Sequence, residues 1–225
     1  MLITRKEITK NKRIISSELS KMQKVFYDED ILEIYKEDNE EQIYQEKFDF
    51  MQAEIIEYKT FSKIIGLNYS DINIFTAKLS TKLEELFQTI GGDNFFIISH
   101  LKVDFFGNRE NDFEPLVQSY KKLEKLIGDT TYKEAFIFNQ KNFNEYIDIL
   151  FWTTRCDMST AEYIFIFDED EKIQINLCKY GNIHLTEFNK ERLTNDLLET
   201  MGWTIIEGQE YDNFSSDGKI EGRKL

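Results

Sequence analysis

Residues 163–185 read YIFIFDEDEKIQINLCKYGNIHL, and this stretch decides the fold class. Tyr163 to Phe167 is a run of aromatic and β-branched side chains, the kind that packs on a pleated surface. Asp168-Glu169-Asp170-Glu171 breaks the run with a polar turn. Ile173, Ile175 and Leu177 then alternate with polar residues at the period of a strand. Tyr180-Gly181-Asn182 turns the chain again into Ile183-His184-Leu185. Three short strands joined by turns make an antiparallel meander.

Helical patterns flank the meander. Ile72, Phe75, Leu79, Leu83, Leu86 and Ile90 recur at steps of three and four, so one apolar stripe runs along a helix. Ser70 is the expected cap at its start and Gly91-Gly92 its stop. A strand follows over about 95–105. The next helix begins at Asp112, with Pro115 in its first turn, carries Leu116, Tyr120, Leu123 and Ile127, and stops at Gly128. Residues 134–138 read as a short strand, 143–152 as a third helix, 187–201 as a last helix and 203–206 as a closing strand. Residues 31–50 carry Ile34, Gln42, Tyr44 and Phe48 in a charged background around Asp38-Asn39, read as a solvent-facing hairpin. Residues 51–66 fit helix or strand equally. The expected class is α+β, with amphipathic helices packed on one side of a mostly antiparallel sheet.

Three segments are expected. Residues 1–25 are basic, with Arg5, Lys6, Lys10, Lys12, Arg13, Lys21 and Lys24 against Glu7 and Glu18. They form either an arm folded over the acidic surface that follows or a loosely ordered terminus. Residues 26–207 form a single α+β domain, long enough to bury a core without a metal or disulfide staple. Residues 208–225 are polar, glycine-spaced and expected to be mobile. Their Ile220-Glu221-Gly222-Arg223 matches a protease-processing tetrapeptide and carries no function here.

Charge sets the expected partners. Forty-two carboxylates face 28 cations, a formal net charge of -14. That balance disfavours binding to nucleic-acid phosphates and to anionic membranes. It favours a basic protein, because complementary fields speed encounter and suppress wrong pairs. Solubility alone also accounts for such a charge. No run of 18 apolar residues suggests a membrane span, and the first residues lack the apolar core of a signal peptide. The two cysteines, Cys156 and Cys178, read as buried free thiols in a reducing cytoplasm. The emphasis on Lys, Asn, Ile, Phe and Tyr, with Pro115 the single proline, is the codon signature of an AT-rich genome, as in bacteria or their phages.

No catalytic constellation stands out. The two histidines, His100 and His184, are the whole supply for a His-dependent site. Along a strand at about 3.3 Å per residue, His100 and Asp104 lie roughly 13 Å apart, too far to bond. Cys178 and His184, with Cys156 as third member, could be imagined around zinc, but Cys-x5-His is not a common ligand spacing. Asn213-x-Ser215-x-Asp217-Gly218 begins like a calcium loop, but its twelfth position is Lys224 where a bidentate Glu is needed. No glycine-rich phosphate loop occurs. No cofactor and no metal is expected, and the chain reads as a non-enzyme.

The segment from Arg155-Cys156-Asp157 through the aromatic strand, the acidic turn, Cys178-Lys179-Tyr180-Gly181-Asn182-Ile183-His184 and the closing Gly202-Trp203 strand resembles the C-terminal part of small acidic immunity proteins of bacterial toxin–immunity systems. It covers less than a quarter of the chain. The resemblance implies a non-enzymatic protein that binds and occludes a cognate toxin. Two other readings stay open: a phage or plasmid protein that mimics DNA with its carboxylates to inhibit a host nucleic-acid-binding protein, and an enzyme of unrecognised type using scattered carboxylates. As exposed charges, the partner-binding candidates are Asp168, Glu169, Asp170 and Glu171, then Asp28, Asp30 and Asp38.

Overall fold

The computed structural model describes residues 1–139, 143–210, 212–215 and 219–223. Asp217, Gly218 and Lys224 of the calcium-like stretch lie outside the described residues. The chain is α+β. Its strands are β1 (Leu2–Ile3), β2 (Thr60–Gly66), β3 (Asn94–Ser99), β4 (Ala135–Asn139), β5 (Ile164–Asp168), β6 (Ile173–Leu177), β7 (Ile183–Phe188) and β8 (Thr204–Ile205). They form one sheet in the order β1-β4-β3-β5-β6-β7-β2-β8, and every pairing is antiparallel. The meander β5-β6-β7 sits at its centre, in register Ile166↔Ile175↔Leu185.

The helices are α1 (Arg5–Asn11), α2 (Arg13–Phe26), α3 (Glu29–Glu37), α4 (Glu41–Gln45), α5 (Ile72–Ile90), α6 (Glu114–Ile127), α7 (Phe143–Cys156) and α8 (Asn195–Thr200). They cover both faces of the sheet, not one as expected. On one face, Phe75 and Leu83 of α5, Leu116 of α6 and Phe151 of α7 pack with Phe95, Ile97, Ile164 and Ile166. On the other, Ile8 of α1 and Ile15 and Leu19 of α2 pack with Phe96, Ile98, Phe165 and Phe167. This explains why β5 is apolar from Ile164 to Phe167: alternate side chains point to opposite cores, and here each core is buried.

The basic first residues are therefore the second layer of the fold rather than a loose terminus, and they meet acidic groups of the chain: Arg5 pairs with Asp49 and Arg13 with Glu54. Arg5 is 1% exposed. Its Nε and Nη2 donate to Asp49 at 2.7 and 2.9 Å, and its Nη1 donates to the Ser99 carbonyl at 2.8 Å. Gln23 of α2 donates to the same Asp49 and to the His100 carbonyl, and accepts from the Phe50 amide. One polar knot thus ties α1, α2 and the segment at 49–50 to the end of β3.

Other boundaries moved for local reasons. Residues 31–50 are no hairpin but α3 and α4, whose inner sides give Leu32 and Tyr44 to a small core with Phe48. The alternation read there came from helical positions sampled too briefly to separate the two periods. The ambiguous 51–66 stretch ends in β2. Asp71, one residue past Ser70, caps α5, and Gly91 ends it with φ 74°. The start of α6 is flanked by Phe113, one residue past Asp112. Strand β3 stops at Ser99 rather than 105. The predicted helix at 187–201 shrinks to α8, because Glu187 and Phe188 belong to β7. The tail is not free of the fold. Asp212 pairs with Arg155, both nearly buried, and Phe214 packs against Phe75 and Phe151.

Candidate functional site

The acidic turn after β5 is largely used within the fold. Asp168 is buried, not exposed: its Oδ1 accepts the Lys172 and Ile173 amides, each at 2.7 Å. Burial raises the Asp168 pKa, against the pull of those amides. Glu169 accepts from the Asn94 side chain, and its carbonyl accepts from Lys12 Nζ. Asp170 pairs with Lys172, which lowers its pKa. Glu171 accepts from the Ile15 amide at 2.9 Å. That amide is one of the free donors at the start of α2, where Lys12 supplies no side-chain cap. The turn therefore anchors the N-terminal helices to the meander. A local reading could not show this, because the amide it serves is 156 residues away.

The second group of candidates lies elsewhere. Asp28 caps α3 by accepting the Asp30 and Ile31 amides. Asp30 and Asp38 are exposed near its two ends. From Asp28 to Glu46 the chain carries nine carboxylates against one cation, Lys36, a net -8 of the chain's -14. The same lobe exposes Ile31, Ile34 and Ile43, at 43%, 59% and 53%. Ile31 and Ile34 stand three apart on α3 and so share a face. Sequence reading picked out the charges here and placed Ile34 in a hairpin with Tyr44 and Phe48, since only the helical fold separates the outward Ile31, Ile34 and Ile43 from inward Leu32 and Tyr44.

The two histidines separate cleanly. His100 is 1% exposed, its Nδ1 lies 3.1 Å from the Tyr163 carbonyl, and its ring packs edge-on against Phe26. Burial lowers its pKa to about 4, opposed by the Tyr163 contact and aided by Arg5. It is a neutral structural group. His184 on β7 is partly exposed and meets two side chains that sequence spacing did not join to it as a set. Cys178 follows β6, and Glu210 comes from the tail. Cys178 Sγ donates to Glu210 Oε2 at 3.1 Å, and His184 Nε2 lies 3.2 Å from Glu210 Oε1. One ligand atom from each of the three lies within 4.8 Å of the others.

This triad lines a cavity of about 470 Å³ with Asp157, Tyr163 and Asn176. Cys156 is outside the cluster, buried, with its sulfur near the Glu221 carbonyl. Burial pushes both thiols up to about 12, aided at Cys178 by the hydrogen bond to Glu210. Neither is a thiolate nucleophile at neutral pH in this arrangement. Arg155 and Asp157, in the segment that carries the family resemblance, have structural partners: Arg155 binds the Lys179 carbonyl and Asp212, and Asp157 accepts from Tyr120 and the Asn108 amide.

The features define an α+β protein with an acidic helical lobe at one place and a cavity beside Cys178, His184 and Glu210 at another. No protein-family model, no curated protein and no solved structure matches the chain. Among the described residues, no helix is long and apolar enough to cross a membrane.

Proposed function

We propose that this chain is a non-enzymatic acidic binding protein of the bacterial cytoplasm, an immunity-type inhibitor that neutralises a cognate basic toxin by docking on it through the α3–α4 lobe. One observation carries the reading: more than half of the net negative charge and three exposed isoleucines share a single helical pair. Carboxylates steer a basic partner to the surface, and desolvated aliphatics then hold it. The concentration of charge in one lobe also favours a dedicated partner over a DNA mimic, whose carboxylates would run in extended rows at the phosphate interval.

The test is affinity capture against the purified products of neighbouring reading frames, followed by kinetics on the captured pair. The expected result is one stoichiometric basic partner whose on-rate falls at least about tenfold from low to physiological salt. The Ile34→Lys/Glu37→Lys/Asp38→Lys variant, folded by circular dichroism, should lose that partner. A salt-insensitive on-rate, or full binding by the variant, refutes the docking surface. No partner at low salt refutes the function.

A further inference from the structure

We propose that Cys178, His184 and Glu210 form a zinc site, with the fourth coordination position facing the adjacent cavity. This goes beyond the docking reading and involves none of its residues. The donor set is a thiol, an imidazole nitrogen and a carboxylate oxygen, the three ligand types zinc takes. With zinc–sulfur at about 2.3 Å and zinc–nitrogen or –oxygen near 2.05 Å, a tetrahedron places ligand atoms roughly 3.3–3.6 Å apart. The observed sulfur–oxygen and nitrogen–oxygen separations are 3.1 and 3.2 Å, to the two different oxygens of Glu210, and one ligand atom from each residue lies within 4.8 Å of the others, so the three side chains draw together around the ion when it binds. Zinc enters by displacing the Cys178 thiol proton to solvent. Thiolate and carboxylate then balance the dication, and the neutral imidazole adds no charge. A thiolate selects zinc over magnesium or calcium, which prefer oxygen alone.

The surroundings fit a built site. Cys178 is set by a tight turn, in which its amide donates to the Asn182 carbonyl and the Gly181 amide donates to the Cys178 carbonyl. Gly181 has φ 83°, and a Cβ there would come within 2.9 Å of Phe75, so the turn requires glycine. Buried Asn182 donates to Glu210 at 3.3 Å, the kind of outer partner that orients a ligand. Arg155 binds the Lys179 carbonyl at 2.8 Å and both oxygens of Asp212 at 3.1 and 2.9 Å. It therefore clamps the turn that carries Cys178 to the segment that carries Glu210. The cavity supplies an entry path and room for water or a small donor at the fourth position.

The experiment uses the full chain stripped with chelator and titrated with Zn²⁺ by calorimetry, with metal content read by elemental analysis. One equivalent should bind saturably. Co²⁺ in its place should give an intense thiolate-to-metal charge-transfer band and the visible spectrum of a four-coordinate site. Cys178→Ser, His184→Gln and Glu210→Gln should each weaken binding by at least about 100-fold, the upper end of what outer partners alone contribute. Cys156→Ser should leave it unchanged. The cobalt spectrum of the unaltered protein decides the matter even where a variant fails to fold. No saturable binding, or a cobalt complex without the thiolate band, overturns the proposal. So does equal binding by the three variants, which would mark scattered surface carboxylates as the ligands.

Discussion

Arg5→Ala tests the polar knot beneath the N-terminal helices. The substitution removes two charge-assisted bonds to Asp49 and the bond to the Ser99 carbonyl, and it lifts a guanidinium off the Phe50 ring, 5.1 Å from its centroid. Among the described residues, Asp49 is left with the Gln23 side-chain amide at 3.0 Å. Breaking a buried ion pair on one side costs about 3–5 kcal/mol. The Asp49 side chain is 24% exposed, so water partly resolvates it and the lower end applies, about 3 kcal/mol. For a chain of this length, about 2–4 °C per kcal/mol lowers the melting midpoint by roughly 6–12 °C. The assay is thermal and urea unfolding followed by circular dichroism, with Arg5→Lys and Asp49→Ala alongside. Lysine keeps the charge but loses the two-pronged geometry, so it should fall between wild type and alanine. Asp49→Ala should cost at least as much as Arg5→Ala, because it leaves a buried cation without its counterion. An Arg5→Ala cost under about 1 kcal/mol at unchanged urea slope would refute the packing of α1 and α2 on the sheet.

Two further outcomes follow from the same layer. His100 has a folded pKa of about 4 against 6.5 unfolded, so the unfolded chain takes up its proton first as pH falls. Stability from this group is complete above pH 6.5 and is lost on acidification towards 4, by up to about 3 kcal/mol. His100→Gln should flatten that limb of the stability–pH curve in urea titrations, and an unaltered limb would contradict a buried neutral imidazole. Glu171→Ala removes the acceptor for the Ile15 amide and should cost about 1 kcal/mol, with faster hydrogen exchange in the first turn of α2 and little change in α5. Glu171→Gln, which still accepts, should lose less.

The central elements were legible because their signals are local. The stripe from Ile72 to Ile90 and the alternation from Ile173 to Leu177 each repeat long enough to select one period, and Gly91 and Gly181 sit where the chain needs positive φ. Residues 31–50 misled because two short helices, α3 and α4, repeat too few times to reveal their period. The acidic turn misled for a different reason. Charge predicts exposure only when nothing in the fold claims it, and here buried amides and an uncapped helix claim Asp168 and Glu171.

By itself, the sequence determined the α+β class, the antiparallel meander, the acidic balance and the positions of α5, α6 and α7, since these rest on side-chain period, composition and turn chemistry within a few residues. Tertiary structure alone decided that the basic first residues form a second helical layer, which faces of α3 and α4 stay outside, and that Glu210 reaches Cys178 and His184. The physical reason is common to all three. Each depends on contacts between distant parts of the chain, where burial and hydrogen-bond satisfaction are settled by the whole packed molecule.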